Sequence, residues 1–254
     1  MGGTAECALS LSCEAVTEAA LASREPLQLI EAEIAEEPMF LIDMKPEQYA
    51  ECRRALELMG DRTKPLPARF AAMGEELFGC TESCDEEEGY LDSVRLLHQL
   101  TSDCSGKNKV AGPLCLEALS FFGMTGREKL SREEAKELLR RYEEAKEHVF
   151  AGLPGWREAA ERLLLSHMFY NSFPHVGGTS DGAKAFFGLA AVCAFVKFVF
   201  TGCIRRWETR EEIVDTLSGI FRLIEHSDFK YRAAQAYRRQ AEFSPGLWRQ
   251  LVNL

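Results

Sequence analysis

Positive charge is in short supply in this 254-residue chain: 30 Lys and Arg stand against 40 Asp and Glu, a formal net charge of −10. A general nucleic-acid binder needs a basic face for the phosphates, so that class is excluded. The acidity leaves room for a cationic partner, such as a lysine-bearing protein surface. The signatures of several common chemistries are missing too. No Gly-rich loop follows a strand, so there is neither a P-loop nor a dinucleotide fingerprint, and no G-x-S-x-G or H-E-x-x-H occurs. The five histidines are scattered, and the nine cysteines are odd in number and irregularly spaced. Cys80 and Cys84 have no second ligand pair nearby and read as loop thiols beside a charge run, so no metal site is expected. The start, M-G-G-T-A-E-C, has neither the basic residues nor the apolar core of a secretory leader, and reduced thiols in a cytoplasm are expected. Internal repeats, low-complexity segments and a series of strand-like alternations are also absent.

Long hydrophobic runs are scarce. Ala185–Ile204 spans 20 residues with Lys197 as its only charge, and the clean part before that Lys has twelve. A membrane span needs about 20 apolar residues, and a Lys near its centre costs about 2.5–3.5 kcal/mol on insertion scales. A buried helix, and no membrane, is the expectation.

What the chain does have is helical period. The stretch Glu161–Phe200 organises it. At about 100° per residue, Ala160, Leu163, Leu164, His167 and Asn171 fall on one face. After a Gly-rich turn, A-K-A-F-F-G-L-A-A-V-C-A-F-V-K-F-V-F is apolar nearly all round, the mark of a helix enclosed by others. A hairpin of Glu161–Phe173 and Ala183–Ile204 is therefore expected at the centre of an all-α, multi-helix globular domain. That single domain covers residues 1–254. Residues 1–26 form an extended arm and first helix, 27–150 peripheral helices and 151–254 the core helices. Pro46 suits the first turn of a helix running to Met59; Asp61–Pro67 reads as a linker and Cys80–Gly89 as an acidic loop. Ser131-x-x-Glu134 and Thr209-x-x-Glu212 are capping boxes that open helices, the second with Ile213, Val214, Leu217, Ile220, Phe221 and Ile224 on one stripe.

His167 and Asn171 place polar groups on an inward face, where such groups need partners. With Arg222, Glu225 and His226 they form the candidate constellation, provided the two helices meet. Two readings stand: a satisfied core pair with a surface Arg and His, or a functional site.

Three stretches, in order and spaced over nearly the whole chain, carry a family resemblance. The first is L-S-L-S-C-E-A-V-T-E-A-A-L around Cys13. The second, E-x-x-L-x-x-x-x-F-x-N-x-F-P, is met by Glu161, Leu164, Phe169, Asn171, Phe173 and Pro174. The third, F-R-x-I-E-H, is met by Phe221, Arg222, Ile224, Glu225 and His226. Together they resemble the flagellin lysine-N-methylases of flagellated bacteria. The sequence departs from that pattern at Arg162 and Ser166, where the family has Asn, and at Glu14, where it has Pro.

The resemblance implies transfer of methyl groups from S-adenosylmethionine to flagellin lysines. It implies catalytic roles for Glu225, His226 and Asn171. Glu225 or His226 would take the proton or orient the amine, and Asn171 would hold a polar end of either substrate. His167, Phe173 and Arg222 would contact substrate. Family members also carry an upstream cysteine-rich segment thought to bind an iron–sulfur cluster; of this only Cys13 remains here, and one thiolate does not hold a cluster. The cluster is therefore expected to be absent from this chain. The alternative function is a non-catalytic helical module that binds flagellin or another partner.

Overall fold

Proline and short polar caps set where the helices begin. The computed structural model describes residues 45–106, 109, 111–153, 156–175, 181–206, 209–225, 227–241 and 246–254; the expected arm and the helices before residue 45 lie outside them. Helix α1 (Pro46–Gly60) opens on its proline, and Gln48 Oε1 accepts from the Lys45 backbone N–H at 3.0 Å. Helix α2 (Leu66–Phe78) starts inside the expected linker, with Pro67 in its first turn. A proline loses no hydrogen bond there, because the first N–H groups of a helix have no intrahelical acceptor. It stops at Gly79, whose φ of +63° suits a residue without a side chain.

Helix α3 (Glu86–Ser105) also starts earlier than the sequence pattern suggests. Asp85 caps it by accepting from the Glu88 backbone N–H at 3.0 Å, and Glu86, Glu87 and Glu88 occupy the first turn. Negative charge is favourable at that end of a helix, so the acidic run is in large part a helix start and not a loop.

Helices α4 (Ala111–Phe121) and α5 (Arg132–Gly152) follow. The Ser131 capping box forms as expected: Glu134 accepts from the Ser131 N–H at 2.8 Å, and Ser131 Oγ from the Glu134 N–H at 3.3 Å. Next come α6 (Trp156–Tyr170), α7 (Gly182–Gly202), one 3₁₀ turn (Ile204–Arg206), α8 (Arg210–Glu225), α9 (Phe229–Ala241) and α10 (Trp248–Asn253). The second capping box forms too, with Glu212 accepting from the Thr209 N–H at 2.9 Å and Thr209 Oγ1 from the Glu212 N–H at 3.3 Å. No strand occurs among the described residues. The fold is all-α and multi-helical, as the sequence predicts.

Helix α7 is the centre. Helices α2, α3, α4, α5, α8, α9 and α10 all pack against it. Its Phe186, Phe195, Phe198 and Phe200 side chains are fully buried, which is why it is apolar on every side. It is long and apolar enough to cross a membrane by length and composition, but most of its surface is covered by protein. At Gly202 the approach of α4 is so close that a Cβ would stand 2.6 Å from the Ala118 Cα.

The expected central hairpin needs correction. Helix α6 packs its backbone closely on α1, and it is not among the helices that pack closely on α7. The centre is one helix, not two. The inward face of α6 carries Glu161 and His167, with Asn171 just past its end, and such groups cannot be pressed onto an apolar helix without partners. Their partners lie on α2, α8 and α9 instead. Side chains of α6 and α7 face each other across a gap, with Ala160–Leu164 opposite Val192–Lys197 and His167–Asn171 opposite Lys184–Val192.

Candidate functional site

Four side chains from three helices meet at one end of the gap. His167 lies in the last turn of α6 and Asn171 just beyond it; Glu225 ends α8 and Lys230 stands in the first turn of α9. The tight corner between α8 and α9 brings Glu225 and Lys230 together. It is fixed by Ser227, whose hydroxyl donates to the Leu223 carbonyl at 2.6 Å and accepts from the Phe229 N–H at 3.1 Å.

Glu225 is the hub. Its Oε1 accepts from His167 Nδ1 at 2.5 Å and from Asn171 Nδ2 at 3.1 Å. Its Oε2 accepts from Lys230 Nζ at 3.2 Å. Asn171 Nδ2 also donates to the His167 carbonyl at 2.8 Å, and its Oδ1 accepts from Lys230 Nζ. A carboxylate only accepts, so His167 Nδ1 carries the proton whatever the charge of the ring. The 3.2 Å between Asn171 Nδ2 and His167 Nδ1 is then the approach of two donors sharing one oxygen. Burial pushes the Glu225 carboxyl up, but His167, Lys230 and Asn171 outweigh it and bring it down to about 2. The group is ionised at any working pH, and the cluster is satisfied. The arrangement is also a receptor for a primary amine: one ammonium, that of Lys230, is held between an amide oxygen and a carboxylate oxygen.

The gap between α6 and α7 holds two cavities. The smaller, of about 220 Å³, adjoins this cluster and is lined by His167, Asn171, Phe173, Gly188, Val192 and Lys230 among others. The larger, of about 470 Å³, lies further along the gap, against Glu161, Leu164, Val192, Lys197 and Phe221, with Glu143, Lys146 and Glu147 of α5 beside it. Val192 lines both.

Of the residues singled out in the sequence, His167, Asn171 and Glu225 are joined directly, across more than fifty positions of chain. Phe173 is buried in the wall of the smaller cavity, edge-on to Phe78 with ring centroids 6.0 Å apart. Arg222 is half-buried on α8. His226 lies outside the described residues. Sequence reasoning missed Lys230, which sits on the helix after the motif. Lys197, which sequence reasoning treats only as an interruption of an apolar run, lines the larger cavity. Among the described residues no three His, Cys, Asp or Glu side chains converge to hold a metal, and the described cysteines are free thiols. These residues do not fit an iron–sulfur cluster.

Comparison with known proteins adds a family. Residues 53–244 match the family model described as the FliB lysine N-methylase C-terminal domain. No curated protein and no solved structure matches the chain.

Proposed function

We propose, from the premise that this chain belongs to the FliB lysine N-methylase family through its C-terminal domain, that it methylates lysines of flagellin with S-adenosylmethionine as donor, in the cytoplasm. The observation that carries the reading is the amine receptor: Asn171 Oδ1 and Glu225 Oε2 both accept from one lysine ammonium beside an open cavity. A substrate lysine entering that cavity takes the place of Lys230.

When bound, the donor supplies a methyl group activated on a sulfonium. The amine lone pair forms the new N–C bond as the S–C bond breaks, so the amine must first lose a proton. Glu225, held at about 2, is too weak a base for that step. It orients the amine and balances its charge. His167 is better placed: with Nδ1–H committed to Glu225, the neutral ring keeps its lone pair on Nε2. Asn171 fixes the amine's direction.

The test is mass spectrometry of flagellin from cells with and without this gene, and with Glu225→Gln or Asn171→Ala. Methylated lysines are expected only with the unaltered gene. Flagellin masses identical with and without the gene would refute the reading, and flagellin binding without methylation would favour the non-catalytic module.

A further inference from the structure

We infer that the larger cavity between α6 and α7 is the seat of the methyl donor, with Lys197 holding the carboxylate of the donor's amino-acid end. The inference rests on the lysine-methylase reading and adds the location and the anchor. Size separates the cavities first. Small-molecule sites enclose roughly 300–1,000 Å³. The cavity of about 470 Å³ falls in that range, whereas the one of about 220 Å³ does not and suits a lysine side chain.

Lys197 is the second argument. It is the only charge within Ala185–Ile204, is half-buried, and lines the larger cavity. Its ammonium makes one hydrogen bond, to the Val252 carbonyl at 2.9 Å, and among the described residues it has no carboxylate partner. A desolvated cation is unfavourable without an anion, and an ammonium has further protons to donate. Lys146, on the same cavity, is already tied to Glu143 at 2.8 Å and to the main-chain oxygen of Leu254 at 3.2 Å. Of the glutamates that line the cavity, Glu143 is taken by Lys146 and Glu161 by Arg69, so the carboxylate of a ligand is the anion that Lys197 is free to receive. Phe221 stands in the same wall, and an aromatic ring is a favourable neighbour for a sulfonium or a base. Glu147, exposed at the rim, offers an acceptor for amino or hydroxyl groups.

Position is the third argument. Leu164 precedes His167 by about one turn of α6, and Phe221 precedes Glu225 by about one turn of α8. Val192 is common to both cavities. A methyl group delivered from the larger cavity and an amine held in the smaller one approach each other beside His167.

Calorimetric titration of the full chain with S-adenosylhomocysteine, methionine and adenosine tests this. The unaltered chain is expected to bind S-adenosylhomocysteine. Lys197→Met should weaken that binding, and the binding of methionine, by about ten- to a hundredfold, the loss of one charge-assisted hydrogen bond. Adenosine binding should be unchanged. Circular dichroism reports whether Lys197→Met folds, and if it does not, Leu164→Trp, which fills the cavity, should abolish binding in its place. Equal affinity in the folded Lys197→Met variant overturns the inference, as does full affinity in Leu164→Trp or no binding to the unaltered chain. If flagellin is still methylated, the lysine-methylase reading survives with the donor elsewhere. If the donor seat is confirmed and flagellin stays unmodified, that reading falls instead.

Discussion

At the scale of single residues, Glu225 decides the electrostatics of the site. Its carboxyl is lowered from 4.5 to about 2 despite burial, because His167, Lys230 and Asn171 all favour the ionised form. Between those values the unfolded chain binds more protons than the folded one. The stabilisation from this group is thus fully present above about pH 4.5 and is lost as pH falls towards 2. A shift of this size corresponds to a contribution on the order of 3 kcal/mol. Glu225→Gln keeps the shape and removes the charge. The difference in unfolding free energy between the unaltered chain and this variant should be largest above about pH 4.5 and should shrink towards pH 2. Denaturant unfolding at a series of pH values measures it, and a difference independent of pH would show that the carboxylate is not the stabilised species.

At the scale of elements, α7 illustrates what close packing demands. Its Gly202 meets Ala118 of α4 with no room for a side chain: an added Cβ would lie 2.5 Å from the Ala118 Cβ. Gly202→Val should force the two helices apart and lower stability by about 1–3 kcal/mol, read as a fall in Tm with helical content retained. Much of this level was legible in the sequence, for physical reasons that are local. A capping box is complete within four residues, so Ser131–Glu134 and Thr209–Glu212 announce their helices without tertiary help. The enclosure of α7 follows from its lack of a polar face. His167, Asn171 and Glu225 were legible as polar groups at or near inward faces, in need of partners. Lys230 was not, because it reaches the cluster from the next helix and no period links it to the others. The gap between α6 and α7 was not legible either. Periodicity tells which face of a helix points inward; it does not tell how far away the opposing helix stands.

At the scale of the molecule, that distance is set by polar struts. Near the start of its inward face α6 is tied to α2 by an ion pair, Arg69 Nη2 to Glu161 Oε2 at 2.6 Å, with Arg69 Nη1 also donating to the Met59 carbonyl at 2.7 Å. Near its other end the same helix is tied to α8 by His167 and Glu225. The larger cavity lies along α6 between these ties, and the smaller one runs on from the second. Helix α6 is held at its ends by charged groups and α7 by apolar contact all round, so the two should open differently. The amides of α7 should exchange with solvent only through global unfolding, whereas α6 together with α1 should open as a smaller unit at lower free energy. Arg69→Met leaves Glu161 without its cation in a half-buried setting, a class of change that costs about 3–5 kcal/mol when a buried pair is broken. The loss should fall first on α6. Native-state hydrogen exchange of this variant should show protection dropping more in α6 and α1 than in α7. Equal losses in all three helices would mean that α6 shares one cooperative core with α7, and that the gap between them is not held open by its ends.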